Sequence, residues 1–429
     1  MHIDHIEVKN FRGFEFLHVA MPVGPLTVFA GDNGSGKTSI IDALALGLGG
    51  FLSGIPDVPS NSIVKTDIRM KSIFLGSVVD RQAQVPVEIT CTGSFDSGDA
   101  ITWKRSLTSM SGRTTIKDAK AVIIKAEDLA AQVKNGSLDV ILPLVSYYGT
   151  GRLWAQKREK SIEIKNSRFS GYQDCLDGKA NDKLLTAWLR KMSLIHLQQE
   201  KRIPELEAVL QAITSCMASS LDVKPSDIRS YFDMKTDELC IEYVTKTGEK
   251  HNHPIHELSE GYKNTISLVA DIAYRMAKLN PQLLDLVLTT PGVVLIDEID
   301  QHLHPKWQQK ILEDLMGIFP NIQFIVSTHS PFILSAAPHG SVVTITNDSA
   351  FIAESMHGSD VNTTTLFVMD AHPRNPRIQE LFDRFNAFLD KESYKEAKVI
   401  LDSLQKELSA KDPELIASSL ALKMEEGEY

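Results

Sequence analysis

The sequence predicts an α/β fold: a mixed central sheet with flanking helices, an antiparallel β portion, an inserted helical and β arm, and a helical C-terminal region. Two observations carry that expectation. The apolar run Leu26-Thr-Val-Phe-Ala30 has strand length and feeds Gly31-Asp-Asn-Gly-Ser-Gly36-Lys37-Thr38, after which Ser39–Leu46 suits a helix. Further on, Gly292–Ile296 and Gln323–Ser327 are two more short apolar runs, separated by sequence of helical character.

The elements follow in order. Residues 2–30 read as two or three strands, with Asn10-Phe-Arg-Gly-Phe14 turning between them. Gly49-Gly50 to Pro59 is rich in breakers and is expected to be a loop. Over 63–125, Val85–Thr92, Ile101–Arg105 and Arg113–Ile116 carry the β-branched, period-two pattern of short strands. Glu127–Lys134 reads as helix, and Val140–Tyr148 as a buried strand ending at Gly149-Thr-Gly-Arg152. Asp182–Met217 has helical periodicity interrupted near Pro204, and Ser230–Lys235 with Glu238–Thr245 reads as a hairpin. A helix over about 260–279 stops at Asn280-Pro281, and another spans Pro305–Phe319. Val342–Asn347 looks extended, and Glu380–Asp390 and Tyr394–Ser409 look helical. The domains expected are residues 1–154 (an N-terminal lobe with the glycine-rich loop and the antiparallel β portion), 155–250 (the inserted arm), 251–346 (a C-terminal lobe) and 347–429 (the helical end).

Composition narrows the class. With 43% hydrophobic and 23% charged residues the 429-residue chain is ordinary for a soluble globular protein, and no run of eighteen apolar residues indicates a membrane span. The N-terminus lacks the basic start and apolar core of a secretory signal. The scattered Cys91, Cys175, Cys216 and Cys240 suit reduced thiols, so a cytoplasmic location is expected. A net charge of −10 argues against a surface that coats duplex DNA everywhere. Between Arg152 and Arg202, however, twelve basic residues face six acids. That segment reads first as a solvated helical face and second as a nucleic-acid or partner surface.

The chemistry centres on the glycine-rich loop. Its spacing, G-x-x-x-x-G-K-T between strand and helix, lets backbone N–H groups curl round phosphate oxygens at a helix N-terminus. Asn33, Gly34, Ser35, Gly36, Lys37, Thr38 and Ser39 are thus expected to hold a nucleoside triphosphate, Lys37 reaching the β- and γ-phosphates and Thr38 a Mg2+ ion. Asp297-Glu298 ends an apolar strand. Asp297 is expected at the magnesium, and Glu298 at the water that attacks the γ-phosphate. Ser259-Glu260-Gly261 opens a helix, which reads either as an ordinary cap or as a donor set for an anion. His329, just past a buried strand, reads as a structural histidine or as one that holds water or phosphate.

Taken in this order, the pieces resemble the ATP-binding-cassette class of P-loop ATPases, and within it the SMC/RecF-like branch. The fold expected is therefore an ABC-type P-loop ATPase head. The resemblance implies catalytic roles for Lys37, Glu298 and His329, and nucleotide contacts from Arg12 in Asn10–Phe14, from Asp300 as D-loop, and from Ser259, Glu260 and Gly261 as signature. It implies ATP sandwiched between two subunits, in a homodimer or higher even-numbered oligomer. Tyr147-Tyr-Gly-Thr-Gly-Arg152, Leu258-Ser-Glu-Gly-Tyr-Lys263, Ile296–Trp307 and Gly358–Asn362 are similar to the PtuA-type ATPases of Septu and retron systems. That likeness implies phage defence beside a separate HNH nuclease subunit. Glu260 and Tyr262 depart from transporter signatures, and Gln132, Gln156 and Arg152 are open candidates for the Q-loop position.

Some features are set aside. Asp360, Asp370, Asp383 and Asp390 do not form the Toprim pattern of the overcoming-lysogenisation-defect relatives, so no intrinsic nuclease is expected. His251-Asn252-His253 spells HNH without the separated ligands of that nuclease, and His256, His302 and His304 complete no tetrahedral set. Besides the defence reading, a RecF-like DNA-repair clamp with direct DNA contact and a nucleotide-sensing scaffold stay open.

Overall fold

A computed structural model describes residues 1–76, 78–95, 98, 100–153, 167–178, 182–346, 349–369 and 374–425. It divides into two compact units, Met1–Ser359 and Asp360–Tyr429. The first opens with β1 (His2–Phe11), β2 (Phe14–Ala20) and β3 (Leu26–Ala30), and α1 (Lys37–Leu52) follows. The hairpin β4 (Met70–Leu75) and β5 (Val78–Ala83) precedes β6 (Val87–Ser94), β7 (Ile101–Leu107), α2 (Lys120–Lys134) and β8 (Leu144–Tyr148). Next come α3 (Asp182–Gln199), α4 (Pro204–Leu221), β9 (Ile228–Asp233), β10 (Glu238–Val244) and β11 (Lys250–Pro254). Then come α5 (Glu260–Leu279), β12 (Gly292–Ile296), α6 (Pro305–Gln308), α7 (Ile311–Ile318) and β13 (Ile322–Ser327). The unit closes with α8 (Pro331–Ala336), β14 (Val342–Ile345) and β15 (Ala350–Ile352).

The central sheet runs β15-β14-β3-β13-β12-β8. All neighbours are parallel except β15, which pairs antiparallel with β14. Because β3, β13, β12 and β8 are parallel, their carboxyl ends lie along one edge, where ligands of open α/β sheets bind. The residues leaving those ends are the glycine loop, Ser327–His329, Asp297-Glu298 and Tyr148-Gly149. An antiparallel sheet, β2-β1-β6-β7, forms a second layer.

Helix α1 packs on β1, β6 and β7 on one side and on β12 and β13 on the other. Being covered on both sides, it is apolar nearly all round. That position corrects the loop expected at Gly49-Gly50, since the helix runs on to Leu52. Close packing explains the glycines: a Cβ at Gly47 would lie 2.3 Å from Cys91 Sγ, and one at Gly49 would lie 2.4 Å from Arg105 Nη1. Trp103 Nε1 and Arg105 Nη1 donate to the Gly47 and Leu46 carbonyls at 2.9 and 2.5 Å. The two sheets are also sewn together by Gln323, whose amide exchanges two 2.8 Å bonds with the Ile3 backbone.

Other expectations shift in detail. Arg113–Ile116 is not a strand; Thr115 makes a single bridge to Ser106. The helix expected at Glu127 already starts at Lys120. Residues 140–143 do not join β8, because the Leu142 backbone is bonded instead to the Asn280 side chain at 2.8 Å. The expected hairpin is a three-stranded sheet, with His251 and His253 on its third strand beside the Tyr243 ring. Pro305–Phe319 is two helices.

The second unit is helical: α9 (Val361–Val368), α10 (Pro376–Leu389), α11 (Tyr394–Glu407) and α12 (Pro413–Glu425). Phe382, Phe385, Ile400, Leu401, Leu404 and Leu415 form its core. Arg374 braces it with two bonds to Asp412, at 2.8 and 3.0 Å, and one to Glu414, at 2.7 Å.

Candidate functional site

The glycine loop links β3 to α1, and its backbone departs from what side chains tolerate. Gly31, Gly34 and Gly36 have φ of 140°, 83° and 99°. A Cβ on Gly31 would meet Ile345 O at 2.6 Å, and one on Gly36 would meet Phe14 Cζ at 2.1 Å. Lys37 is buried at the helix start, with Nζ donating to the Gly31 and Asp32 carbonyls at 2.7 and 2.8 Å. Burial lowers its pKa, against the opposing pull of Asp297, Asp32, Glu298 and Asp300. A buried ammonium wrapped by a loop of this shape suits a polyanion. Asn33 and Gly34 are exposed, and Ser35 lies buried in the same turn.

Thr38 and Asp297 meet across the sheet edge. Thr38 Oγ1 donates to Asp297 Oδ1 at 3.2 Å, and Ser327 Oγ donates to the same oxygen at 2.5 Å. A hydroxyl beside a carboxylate is the hard oxygen set that magnesium prefers, so the residues fit that ion. Glu298 takes φ 47°, a left-handed conformation uncommon for a non-glycine residue, and its N–H donates to Ser327 Oγ at 2.8 Å. Ser327 thus braces both acids, a role with no motif to reveal it; its only signal is a hydroxyl at the end of an apolar strand.

The next turn is tied to His329. Asp300 Oδ1 accepts from Thr328 Oγ1 at 2.5 Å and from the His329 N–H at 3.3 Å. The half-buried imidazole follows β13, and Ser330 caps α8 behind it. The strand ends therefore gather Thr38, Asp297 and Glu298 around Ser327, and Thr328 and His329 around Asp300, with the acids within electrostatic reach of Lys37.

Ser259 caps α5 without a side-chain hydrogen bond, and both Ser259 and Glu260 are exposed. This end of α5 packs on the turn after β12. A Cβ on Gly261 would lie 2.6 Å from His302 O, Asn264 Nδ2 donates to Gln301 O at 3.1 Å, and Tyr262 sits edge-on to Trp307 at 4.0 Å.

Arg12, at φ 49°, donates to Asp42 Oδ2 at 2.5 Å and to Asp67 Oδ1 at 3.0 Å. Burial opposes its charge, but Asp42 and Asp67 outweigh it and raise its pKa. Sequence reasoning missed both carboxylates; Asp42 is one helical turn beyond Thr38 on α1 and also accepts from Tyr147 at 2.7 Å.

Of the Q-loop candidates, exposed Gln132 donates to Asp128 on its own helix at 2.8 Å. Gln156 and the Arg152 side chain lie outside the described residues, as does much of the basic segment. Its described arginines are engaged within the chain. Arg168 donates to the Leu279 and Val140 carbonyls at 2.7 Å, Arg190 pairs with Asp237, and Arg202 pairs with Glu207 at 2.5 Å. Asp360 caps α9, and Asp370 is not among the described residues. Among the described residues no helix is long and apolar enough to cross a membrane.

The chain is also similar to known proteins. A family model described as an AAA domain matches residues 5–219, and a second AAA-domain model matches residues 176–335. The chain is 28% identical to the Retron Vc95 probable ATPase of Vibrio cholerae serotype O1 biovar El Tor, over 77% of this chain and 71% of that one. It is 24% identical to the Septu protein PtuA of Bacillus mycoides, over 95% of this chain and 50% of that one. Among solved structures, an SmcHead bound to the C-winged helix domain of ScpA covers 82% of this chain and 98% of that chain, at 16% identity and a TM-score of 0.49.

Proposed function

The chain belongs to the AAA-domain family and is related to retron and Septu PtuA ATPases, and from that premise we propose that it hydrolyses ATP slowly as a dimer closed around the nucleotide. One observation carries the proposal: the P-loop hydroxyl of Thr38 meets the Asp297 carboxylate at 3.2 Å, bringing a phosphate cradle and an acidic strand end together.

Lys37 moves from the Gly31 and Asp32 carbonyls onto the β- and γ-phosphates, exchanging neutral acceptors for charged ones. Thr38 and Asp297 would hold magnesium, which when bound neutralises phosphate charge. Glu298 accepts the proton of the attacking water, its backbone held at the strand end by the N–H bond to Ser327 Oγ. His329, fixed through its N–H to Asp300, donates toward the γ-phosphate. The signature Ser259, exposed and not spent on its own cap, serves the ATP held by a second copy's P-loop. Arg12 reaches phosphate once it exchanges Asp42 or Asp67 for the nucleotide.

The likeness to PtuA and retron ATPases supports a defence role, with this cytoplasmic ATPase controlling a separate HNH nuclease subunit. The net charge of −10 favours this over a RecF-like DNA clamp, which draws its affinity from cations facing phosphate. The test is phosphate release from ATP with and without Mg2+. Wild type should release phosphate only with the metal, and Lys37→Ala and Glu298→Gln should fall to background. Equal release by Glu298→Gln would remove the catalytic assignment.

A further inference from the structure

Adjacent residues at the end of β8 reach two different helices. Tyr147 OH donates to Asp42 Oδ1 on α1 at 2.7 Å, and Tyr148 OH donates to Asp271 Oδ2 on α5 at 2.7 Å. Successive side chains of a strand point to opposite faces, so the pair ties one helix to each face of the same sheet edge. The first tie is half-buried and the second fully buried. Tyr148, Asp271 and Arg275 are each at most 3% exposed, and Arg275 closes the far end by donating to Asp271 Oδ2 at 2.7 Å. Arg275 also donates to the Gly171 and Gln173 carbonyls at 3.0 and 2.8 Å. Burial first, and the facing carboxylates next, raise both phenol pKa values, so each stays a protonated donor.

The two helices have different duties. Helix α1 carries Lys37 and Thr38 at its start, with Asp42 one turn further on. Helix α5 carries Ser259 at its cap, about 18 Å along the axis from Asp271 at 1.5 Å per residue. Between them stands β8, whose Tyr148 carbonyl accepts the Asp297 N–H at 2.8 Å. A rigid path therefore runs from the P-loop helix, through two consecutive side chains of one strand, to the signature helix.

We infer that Tyr147 and Tyr148 are positioning residues that couple nucleotide at a chain's own P-loop to the placement of the Ser259 it offers a second copy. The inference rests on the two-chain ATP site proposed above. When Arg12 turns from Asp42 to phosphate, Asp42 keeps Tyr147 as its donor, and any shift of α1 is passed through β8 to α5. Occupancy of one site thereby prepares the other, which makes hydrolysis cooperative in ATP.

The experiment uses the full chain and compares wild type with Tyr147→Phe and Tyr148→Phe. Each substitution removes one hydroxyl and keeps ring and backbone. Hydrolysis rate is read against ATP concentration, binding of ATP is read separately, and ATP-driven dimerisation is read in the Glu298→Gln background. Expected are a Hill coefficient above 1 for wild type, a clearly lower one in both variants, ATP affinity within twofold of wild type, and intact dimerisation. Should Tyr148→Phe fail to fold, the half-buried Tyr147→Phe alone decides. A wild type without cooperativity, or variants as cooperative as wild type, overturns the coupling and leaves the two-chain site standing. Glu298→Gln protein that binds ATP without dimerising overturns the two-chain site itself.

Discussion

Replacing Gly36 by Ala probes the cradle most sharply. The residue sits at the α1 cap with φ 99°, and the new methyl carbon would lie 2.1 Å from Phe14 Cζ and 2.8 Å from Cε2. An L-residue forced into left-handed backbone costs roughly 1–2 kcal/mol. Displacing the Phe14 ring, only 2% exposed, adds roughly 1–3 kcal/mol of overpacking. The combined cost, roughly 2–5 kcal/mol, can be relieved in the free protein by letting the first turn of α1 fray. Bound nucleotide forbids that escape, so the cost falls on affinity, about 30-fold to several thousandfold at 1.4 kcal/mol per tenfold. The assay is titration of a fluorescent ATP analogue alongside thermal unfolding. Gly36→Ala should lose affinity with little change in melting temperature, and Phe14→Leu added to it should recover the steric share, about tenfold to a hundredfold. Wild-type affinity in Gly36→Ala, or no recovery in the double variant, would refute the reasoning.

Further predictions concern the residues around the cradle. Asp300→Ala releases Thr328 and the His329 N–H, and turnover should fall by roughly a hundredfold while ATP affinity holds, as measured by steady-state kinetics. Arg275→Met leaves Asp271 buried beside Tyr148 without its cation and should lower stability by roughly 3–5 kcal/mol in urea unfolding, whereas Arg377→Met, on an exposed pair with Glu407, should change it by less than about 1 kcal/mol. Burial pushes the Cys91, Cys175 and Cys216 thiols up to about 12. At pH 8 a disulfide reagent should thus find almost no thiolate in the folded chain, and four reactive thiols once it is unfolded. Since unfolded thiols ionise near about 8.5, those three favour the folded state fully below that pH and lose the contribution as pH climbs toward 12.

The strand-loop-helix of the P-loop could be read directly because three local signals coincide there: an apolar run, glycines at fixed spacing, and a helix former after Lys-Thr. The acidic strand end at Asp297 was equally open to reading. What escaped was set by contacts distant in sequence. The continuation of α1 through Gly47, Gly49 and Gly50 depends on Cys91 and Arg105 in strands some fifty residues away, so a local rule read those glycines as breakers. The pairing of Arg12 with Asp42 and Asp67, and the bracing of two acids by Ser327, join segments that share no periodicity. The strand β11 hid behind two histidines and a lysine, poor strand formers held in place by pairing with β10.

The most direct measurement is the solution mass of wild type and Glu298→Gln with and without Mg-ATP. A nucleotide sandwich requires ATP to drive the Glu298→Gln protein into dimers or larger even multiples, and Ser259→Arg added to it to return the ATP-free mass. A mass that ignores nucleotide in protein still shown to bind ATP, together with undiminished hydrolysis by Ser259→Arg alone, would contradict a site shared between two chains.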